Sequence, residues 1–218
     1  MAKVIILGGH GKVALRLAPL LVELGDQVTS VFRNPDHQAA VAATGAHPVL
    51  ADIETLDTAH LADLLRGQDA VVWSAGAGGG DPVRTFGVDQ DAAIRSIDAA
   101  EAAGVQRYVM VSYLGARPDH GFERSDPFFA YAEAKARADE HLRRSSLAFT
   151  IVGPGHLTLD EPTGRIDVVT AETAGRDTAV SRADVAAVVA AVLHDDATVG
   201  RSIEFRNGAT PIADAIRG

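Results

Sequence analysis

Val4-Ile5-Ile6-Leu7-Gly8-Gly9-His10-Gly11-Lys12-Val13-Ala14 is the stretch whose reading decides the fold. Four apolar residues in a row read as a buried strand, and they run straight into a turn rich in glycine. Beyond the turn, Val13, Leu17, Leu20 and Leu24 recur with the period of a helix, Arg16 and Glu23 lie outside the stripe, and Gly25 can end it. Pro19 removes one backbone bond from that helix and is expected to bend it. Within the turn, Gly9, Gly11 and Ala14 fit G-x-G-x-x-A, and Gly8, Gly11 and Ala14 fit the looser G-x-x-G-x-x-A. The small residues have separate tasks. One permits the tight turn, one lets the backbone approach a pyrophosphate, and Ala14 lets the helix pack on the sheet. The phosphates then sit at a helix N-terminus, where N–H groups and the dipole favour negative charge. Gly8, Gly9, His10, Gly11, Lys12 and Val13 are therefore expected to bind a dinucleotide.

The same alternation continues outward. Val28 to Phe32, Pro48 to Leu50, Ala70 to Trp73, Tyr108 to Val111 and Phe149 to Val152 are short apolar runs. Most show no alternation, as a parallel sheet covered on both faces requires. Helical patterns lie between them. In one, Ile94 and Ile97 face inward, Arg95 and Asp98 face outward, and Gly104 stops the helix. This order implies right-handed crossovers and an α/β, Rossmann-type doubly wound parallel sheet. The last third is less regular, with Gly153-Pro154-Gly155 and Glu161-Pro162-Thr163-Gly164, and residues 153–180 are expected to form part of a small C-terminal substrate cap. Ser181 with Asp184 reads as a capping box opening a helix to about Leu193. A strand near Ile203 to Phe205 and a short helix from Pro211, capped by Thr210, follow. No linker or repeat divides the 218 residues, so a single NAD(P)-binding domain over 1–218 is expected.

Charge and composition narrow the function. A formal net charge of −9 argues against a nucleic-acid partner. The chain has no cysteine, which excludes disulfides, thiolate metal sites and a thiol nucleophile. No apolar run approaches the ~20 residues of a membrane span, and the start does not read as a secretory signal. The expectation is a cytoplasmic protein with a small-molecule substrate and no nucleic-acid or membrane partner; the oligomeric state is left open. The eight histidines lack metal-ligand spacing, so no metal is expected. His120 and His156 fall in loops that could roof a substrate.

Cofactor choice is read at the end of the second strand. An NAD site places Asp or Glu there for the ribose 2′-hydroxyl, but this chain has Val31-Phe32-Arg33-Asn34, with no acid until Asp36. Arg33 can pair with a 2′-phosphate, and Lys12 adds charge nearby, so NADP(H) is expected over NAD(H). The chemistry is read in a later helix, from about Pro127 to Arg144 with Asp126 as N-cap. Tyr131, Ala134, Lys135, Ala138 and Leu142 share one face; Glu133, Arg137, Glu140 and Arg144 share the other. Lys135 lies on the wrong face for a solvated lysine and needs a partner or a task. Tyr131 and Lys135 form Y-x-x-x-K, in which the ammonium is expected to lower the phenol's pKa so that Tyr131 can give or take a proton. Ser112 ends the fifth strand at the carboxyl edge, where ligands bind, and can hydrogen-bond a reacting carbonyl.

With these residues, the chain resembles the short-chain dehydrogenase/reductase superfamily. It is most similar to the atypical, extended-like branch of NAD(P)H-binding proteins that includes biliverdin-reductase-B-like and NmrA-like members. The resemblance covers essentially the whole chain. It is carried by Gly8 to Ala14, Ala51-Asp52-Ile53, Val72-Trp73-Ser74-Ala75-Gly76, Ala103-Gly104-Val105 into Val111-Ser112, Tyr131 to His141, Thr150 to Gly155, and Ser181 to Ala186. It implies that Asp52 and Ile53 border the adenine, that Ala75 and Gly76 line the cofactor, that Ser112, Tyr131 and Lys135 form the catalytic triad, and that Lys135 also holds the nicotinamide ribose. Gly153 stands where the branch often has arginine before Pro-Gly. The leading expectation is an NADPH-dependent oxidoreductase reducing a small carbonyl or related acceptor by hydride transfer. The alternatives are an NAD(P)-dependent epimerase or isomerase, and a non-catalytic NADP(H) sensor; the retained tyrosine favours an enzyme.

Overall fold

The computed structural model describes residues 1–170 and 178–218, and it sets the strand of the opening stretch inside a nine-stranded sheet. β1 (Lys3–Leu7) passes through the glycine turn into α1 (Ala14–Glu23). β2 (Gln27–Phe32), α2 (Gln38–Ala42) and β3 (His47–Leu50) build the sheet on one side of β1. α3 (Thr58–Leu65) returns the chain to β4 (Ala70–Trp73) on the other side. α4 (Pro82–Thr85), a π-helical stretch over Phe86–Ala92 and α5 (Ala93–Ala103) lead to β5 (Arg107–Val111), and α6 (Phe129–Arg144) leads to β6 (Ala148–Pro154). Then come β7 (Leu157–Thr158), β8 (Arg165–Val168), β9 (Val180–Ser181), α7 (Arg182–Leu193), β10 (Arg201–Asn207), β11 (Thr210–Pro211) and α8 (Ile212–Ala215).

In space the strands run β11-β8-β10-β6-β5-β4-β1-β2-β3. From β10 to β3 every pairing is parallel, and β8 and β11 add an antiparallel edge. The direction of chain progression reverses at β1, between β2 and β4. In a doubly wound sheet that reversal opens a crevice at the carboxyl ends of the strands, so the glycine turn after β1 lies at the binding edge. Burial follows the same logic. Val4 and Ile6 join a core shared with α1 and α7, while Ile5 and Leu7 join one shared with α3 and α5. A strand with a core on each face has no solvent side, which is why β1 and β4 carry no alternation.

Several boundaries differ from the sequence reading, each for a local reason. α6 starts at Phe129 instead of Pro127, because Asp126 closes a turn of its own, its Oδ1 accepting the Phe128 N–H at 2.7 Å. α8 has Pro211 at its N-cap with no side-chain cap; Thr210 pairs with Ile166 in the sheet. α1 continues through Pro19 to Glu23. Ser181 caps α7 by accepting the Asp184 N–H at 3.0 Å. The Asp184 carboxylate, itself buried, accepts the Ser181 hydroxyl at 2.9 Å and also the Gly164 N–H at 2.8 Å and the Thr163 N–H at 2.9 Å, and so ties the preceding loop to the helix. Of the segment 153–180, residues 171–177 lie outside the described residues. The rest supplies β8 to the main sheet and the parallel pair β7–β9, and from it Leu157 reaches the larger cavity described below. Among the described residues no helix is long and apolar enough to cross a membrane.

Candidate active site

The three glycines of the turn are glycines for different reasons. Gly8 has φ +90°, and a Cβ on it would lie 2.6 Å from the Ala75 Cα. A Cβ on Gly9 would lie 2.6 Å from the Ser30 Cβ, and its N–H donates to the Val31 carbonyl at 2.7 Å. These two let β1 sit tightly between β4 and β2, and Gly9 lines neither of the cavities described next. Gly11 has an ordinary φ and a looser surround: a Cβ on it would lie 3.1 Å from the Gly8 carbonyl oxygen, and the residue faces both cavities. No side chain caps α1 behind it. The helix end is thus open toward an anion, as a pyrophosphate cradle requires.

The two cavities meet over this turn and share Gly11, Ser74, Ala75 and Gly76. The smaller, of about 460 Å³, brings together Gly8, His10, Arg33, Asp52 and Ile53. The larger, of about 770 Å³, brings together Lys12, Val13, Ser112, Tyr131 and Lys135. Two chambers joined at a glycine turn, one carrying Arg33 and Arg84 beside Asp52 and Glu54 and one carrying Tyr131 and Lys135, fit the two halves of a nicotinamide dinucleotide.

The smaller cavity holds contacts that sequence spacing does not announce. Arg33 Nη1 pairs with Glu54 Oε2 at 3.0 Å, and Arg84 Nε approaches the same oxygen at 3.6 Å. An acid therefore does stand beside the end of β2, brought there from the loop after β3. His10 and His37 stack with ring centroids 3.4 Å apart and planes 13° from parallel. Burial, and secondly the neighbouring His37, holds His10 below the usual imidazole range. Asp52 is occupied in accepting the Glu54 N–H at 3.0 Å.

In the larger cavity α6 presents its buried face. Lys135 is 1% exposed, and its Nζ donates to the Val111 carbonyl at 2.7 Å. On the outer face Arg137 and Glu133 form the expected pair. Tyr131 departs from expectation. Its phenol is pushed up, not down: burial dominates, and the carboxylates of Asp89 and Asp139 and the Tyr113 phenol add to it. Lys135 does not offset this; its charge acts on Asp89 and Asp139. Asp139 is buried on α6 one turn beyond Lys135, and its Oδ2 accepts the Ser112 hydroxyl at 2.5 Å. Asp89 is buried in the π-helical stretch, with Oδ2 accepting the Ala77 N–H at 2.9 Å. Asp139 was legible in principle, since an acid on the buried face of α6 is the same signal that singles out Lys135. Asp89 was not, because the π-turn breaks the helical period around it.

The remaining candidates resolve locally. His120 has a buried side chain whose Nε2 lies 3.2 Å from Glu133 and whose Nδ1 accepts the Phe122 N–H, a loop clasp; His156 is exposed. Gly153 leaves little space for a side chain, since a Cβ would lie 3.0 Å from the Glu204 Cγ and 3.1 Å from the Tyr113 carbonyl oxygen, so these neighbours would have to give way. The space of an arginine there is taken by that loop and by Glu204, which accepts the Gly115 N–H at 2.9 Å.

Comparison with known proteins agrees with this geometry. Residues 8–196 match the family described as NAD(P)H-binding. The chain is 34% identical to the protein called uncharacterized sugar epimerase YhfK of Bacillus subtilis, over 99% of both chains. Among solved structures it is similar to a putative NAD-dependent epimerase/dehydratase from Bacillus halodurans, with TM-score 0.89 and 34% identity over 99% of both chains. It is also similar to the oxidoreductase ylbE from Lactococcus lactis, with TM-score 0.85 and 28% identity over 98% of this chain and 94% of that one. The chain has a Rossmann-type sheet with a glycine turn at its switch point, the family match begins at that turn and covers most of the chain, and the chain belongs to the NAD(P)H-binding family.

Proposed function

We propose that this chain is an NADPH-dependent oxidoreductase that reduces a small carbonyl or related acceptor. The observation that carries the reading is that Ser112, Tyr131 and Lys135 line one cavity with Gly11, Lys12 and Val13 of the dinucleotide turn. The glycine turn, His10, Arg33, Asp52, Ile53, Ala75 and Gly76 would hold the cofactor, and when bound it supplies hydride. The chain's own residues manage the oxygen and the proton. Tyr131 keeps its proton at neutral pH, since burial and two nearby carboxylates disfavour the phenolate. The proton is thus available to a developing alkoxide, although burial makes this phenol a weaker acid than a free one. Ser112, at the end of β5, holds the acceptor oxygen. Lys135 uses one N–H on the Val111 carbonyl and keeps others for the ribose and the tyrosine. NADPH over NADH is supported by Arg33 and Arg84, two cations around one carboxylate.

The names of the Bacillus relatives favour a second reading, an epimerase that retains its cofactor. The raised Tyr131 phenol weighs against it, because such chemistry also asks that group to accept a proton. Tyr131→Phe removes only the hydroxyl. NADPH affinity is expected to survive, and turnover with the best acceptor of a carbonyl panel is expected to fall by ~10²-fold or more. Full activity in the folded variant would refute the role of Tyr131.

A further inference from the structure

Around Ser112, Tyr131 and Lys135 lies a set of buried charges, of which Asp89 also lines the larger cavity. Asp89 is 1% exposed, Asp139 is 0% exposed, and the ammonium of Lys135, itself 1% exposed, acts on both. One buried cation balances one buried carboxylate. A second carboxylate in the same surroundings has only the weaker pull of Arg84 on Asp89 or of Arg143 on Asp139, and desolvation favours its neutral form. The two acids are held differently. Asp89 accepts a backbone N–H from Ala77, which suits a carboxylate. Asp139 has the Ser112 hydroxyl at Oδ2, and among the described residues the Oδ1 of each acid has no hydrogen-bond partner.

Ser112 has one hydrogen to give. While Asp139 is ionised it can only accept, so the hydroxyl must direct that hydrogen to Oδ2. The separation of 2.5 Å is that of a charge-assisted bond. Ser112 then turns lone pairs toward the cavity and repels a carbonyl oxygen. When Asp139 carries a proton, the same contact can run in reverse, the acid O–H donating to Ser112 Oγ. The serine hydrogen is then free to point into the cavity that Ser112 lines.

Building on the reading of Ser112 as the group that holds the acceptor oxygen, we propose that Asp139 is the positioning residue that sets the direction of the Ser112 hydroxyl. Only its protonated form presents Ser112 to the acceptor as a donor. Burial pushes the Asp139 carboxyl up to about 6, against the pull of Lys135, the Ser112 hydroxyl and Arg143 on its own side and with Glu204 of β10 adding to the rise. The other ionisable groups that face it, Tyr131 and Tyr113, stay neutral throughout that range, Tyr113 being pushed up to about 12 by burial. The donor form therefore dominates below about pH 6 and declines above it.

Two readouts test this on the full-length protein. The first is the pH profile of kcat/KM for NADPH oxidation, with 9,10-phenanthrenequinone as the carbonyl probe. The second is the titration of the Asp139 carboxyl carbon by NMR. The wild-type profile is expected to fall roughly tenfold per pH unit above the carboxyl's midpoint, as for any single required proton. Asp139→Asn offers Ser112 an N–H at every pH, so its profile should be flat and should exceed wild type at pH 8. Ser112→Ala removes a donor that stabilises the carboxylate, so the Asp139 midpoint should move up. A merely structural Asp139 would give an Asn variant whose profile runs parallel to wild type, and that result overturns the proposal. So does an Asp139 midpoint that ignores Ser112→Ala. If Ser112→Ala reduces the quinone as well as wild type at pH 5, or wild type does not reduce it at all, the functional reading fails instead. The carboxyl titration tells these failures apart because it needs no turnover.

Discussion

Glu54 holds Arg33 at 3.0 Å and Arg84 at 3.6 Å, so the cation expected to meet a 2′-phosphate already has a carboxylate partner. The pair is partly exposed and contributes little to stability, but it competes directly with a phosphate. Arg33→Ala should weaken NADPH binding by about 1.5–3 kcal/mol, the range for a hydrogen bond to a charged group, and leave NADH nearly unchanged. Glu54→Gln should act in the opposite direction, tightening NADPH by removing the competitor. Calorimetry of both variants with both cofactors checks this. Equal losses for NADPH and NADH in Arg33→Ala would remove Arg33 from the phosphate site. His10 and His37 show the same lesson at the residue scale. Each is an ordinary polar residue in sequence, and only the fold stacks one on the other.

Among the elements, the β1–α1 turn was the most legible, because close backbone approach leaves a sequence signature in glycine. Gly11→Val is expected to leave the protein folded, since its φ is ordinary and its surround looser than that of Gly8 or Gly9, yet to abolish dinucleotide binding. Thermal denaturation and a cofactor titration separate the two effects; binding of unchanged affinity by the folded variant would contradict the role of the turn. β5 illustrates what spacing cannot reveal. Arg107 at its start is buried, and burial pulls it down to about 10, so it remains charged at neutral pH. Its guanidinium donates to the Ala148 and Val192 carbonyls and to Thr150 Oγ1, at 2.7, 2.6 and 2.7 Å, joining β5, β6 and α7. Arg107→Met should cost about 3 kcal/mol through the acceptors left unpaired, read as a fall in the chemical denaturation midpoint. A loss within experimental error would mean that water replaces the guanidinium. α6 was read correctly as to its faces, since Lys135, Ala138 and Leu142 are buried while Arg137 is exposed, but not as to its start, where the Asp126 turn intervenes.

For the whole molecule, the parallel, doubly wound character of the sheet followed from continuous apolar runs, and the binding edge followed from the position of the glycine turn within them. The antiparallel edge of β8 and β11 did not, because short segments rich in glycine and proline carry no period to read. The site was legible wherever a residue broke its element's pattern, as Lys135 does. It was hidden wherever the decisive partner came from another element, as with Glu54 beside Arg33, or where the helical period broke, as at Asp89. On the proposed reading, one edge of one sheet binds NADPH and uses it to reduce a carbonyl. The most direct measurement is the fate of label from NADPH deuterated at the transferable C4 position, with a panel of aldehydes, ketones and quinones. The expected result is one NADP⁺ formed per product molecule, with the deuterium carried into the product alcohol wherever an aldehyde or ketone is the acceptor. Binding without consumption across the panel, or substrate epimerised with NADPH left intact, would contradict it.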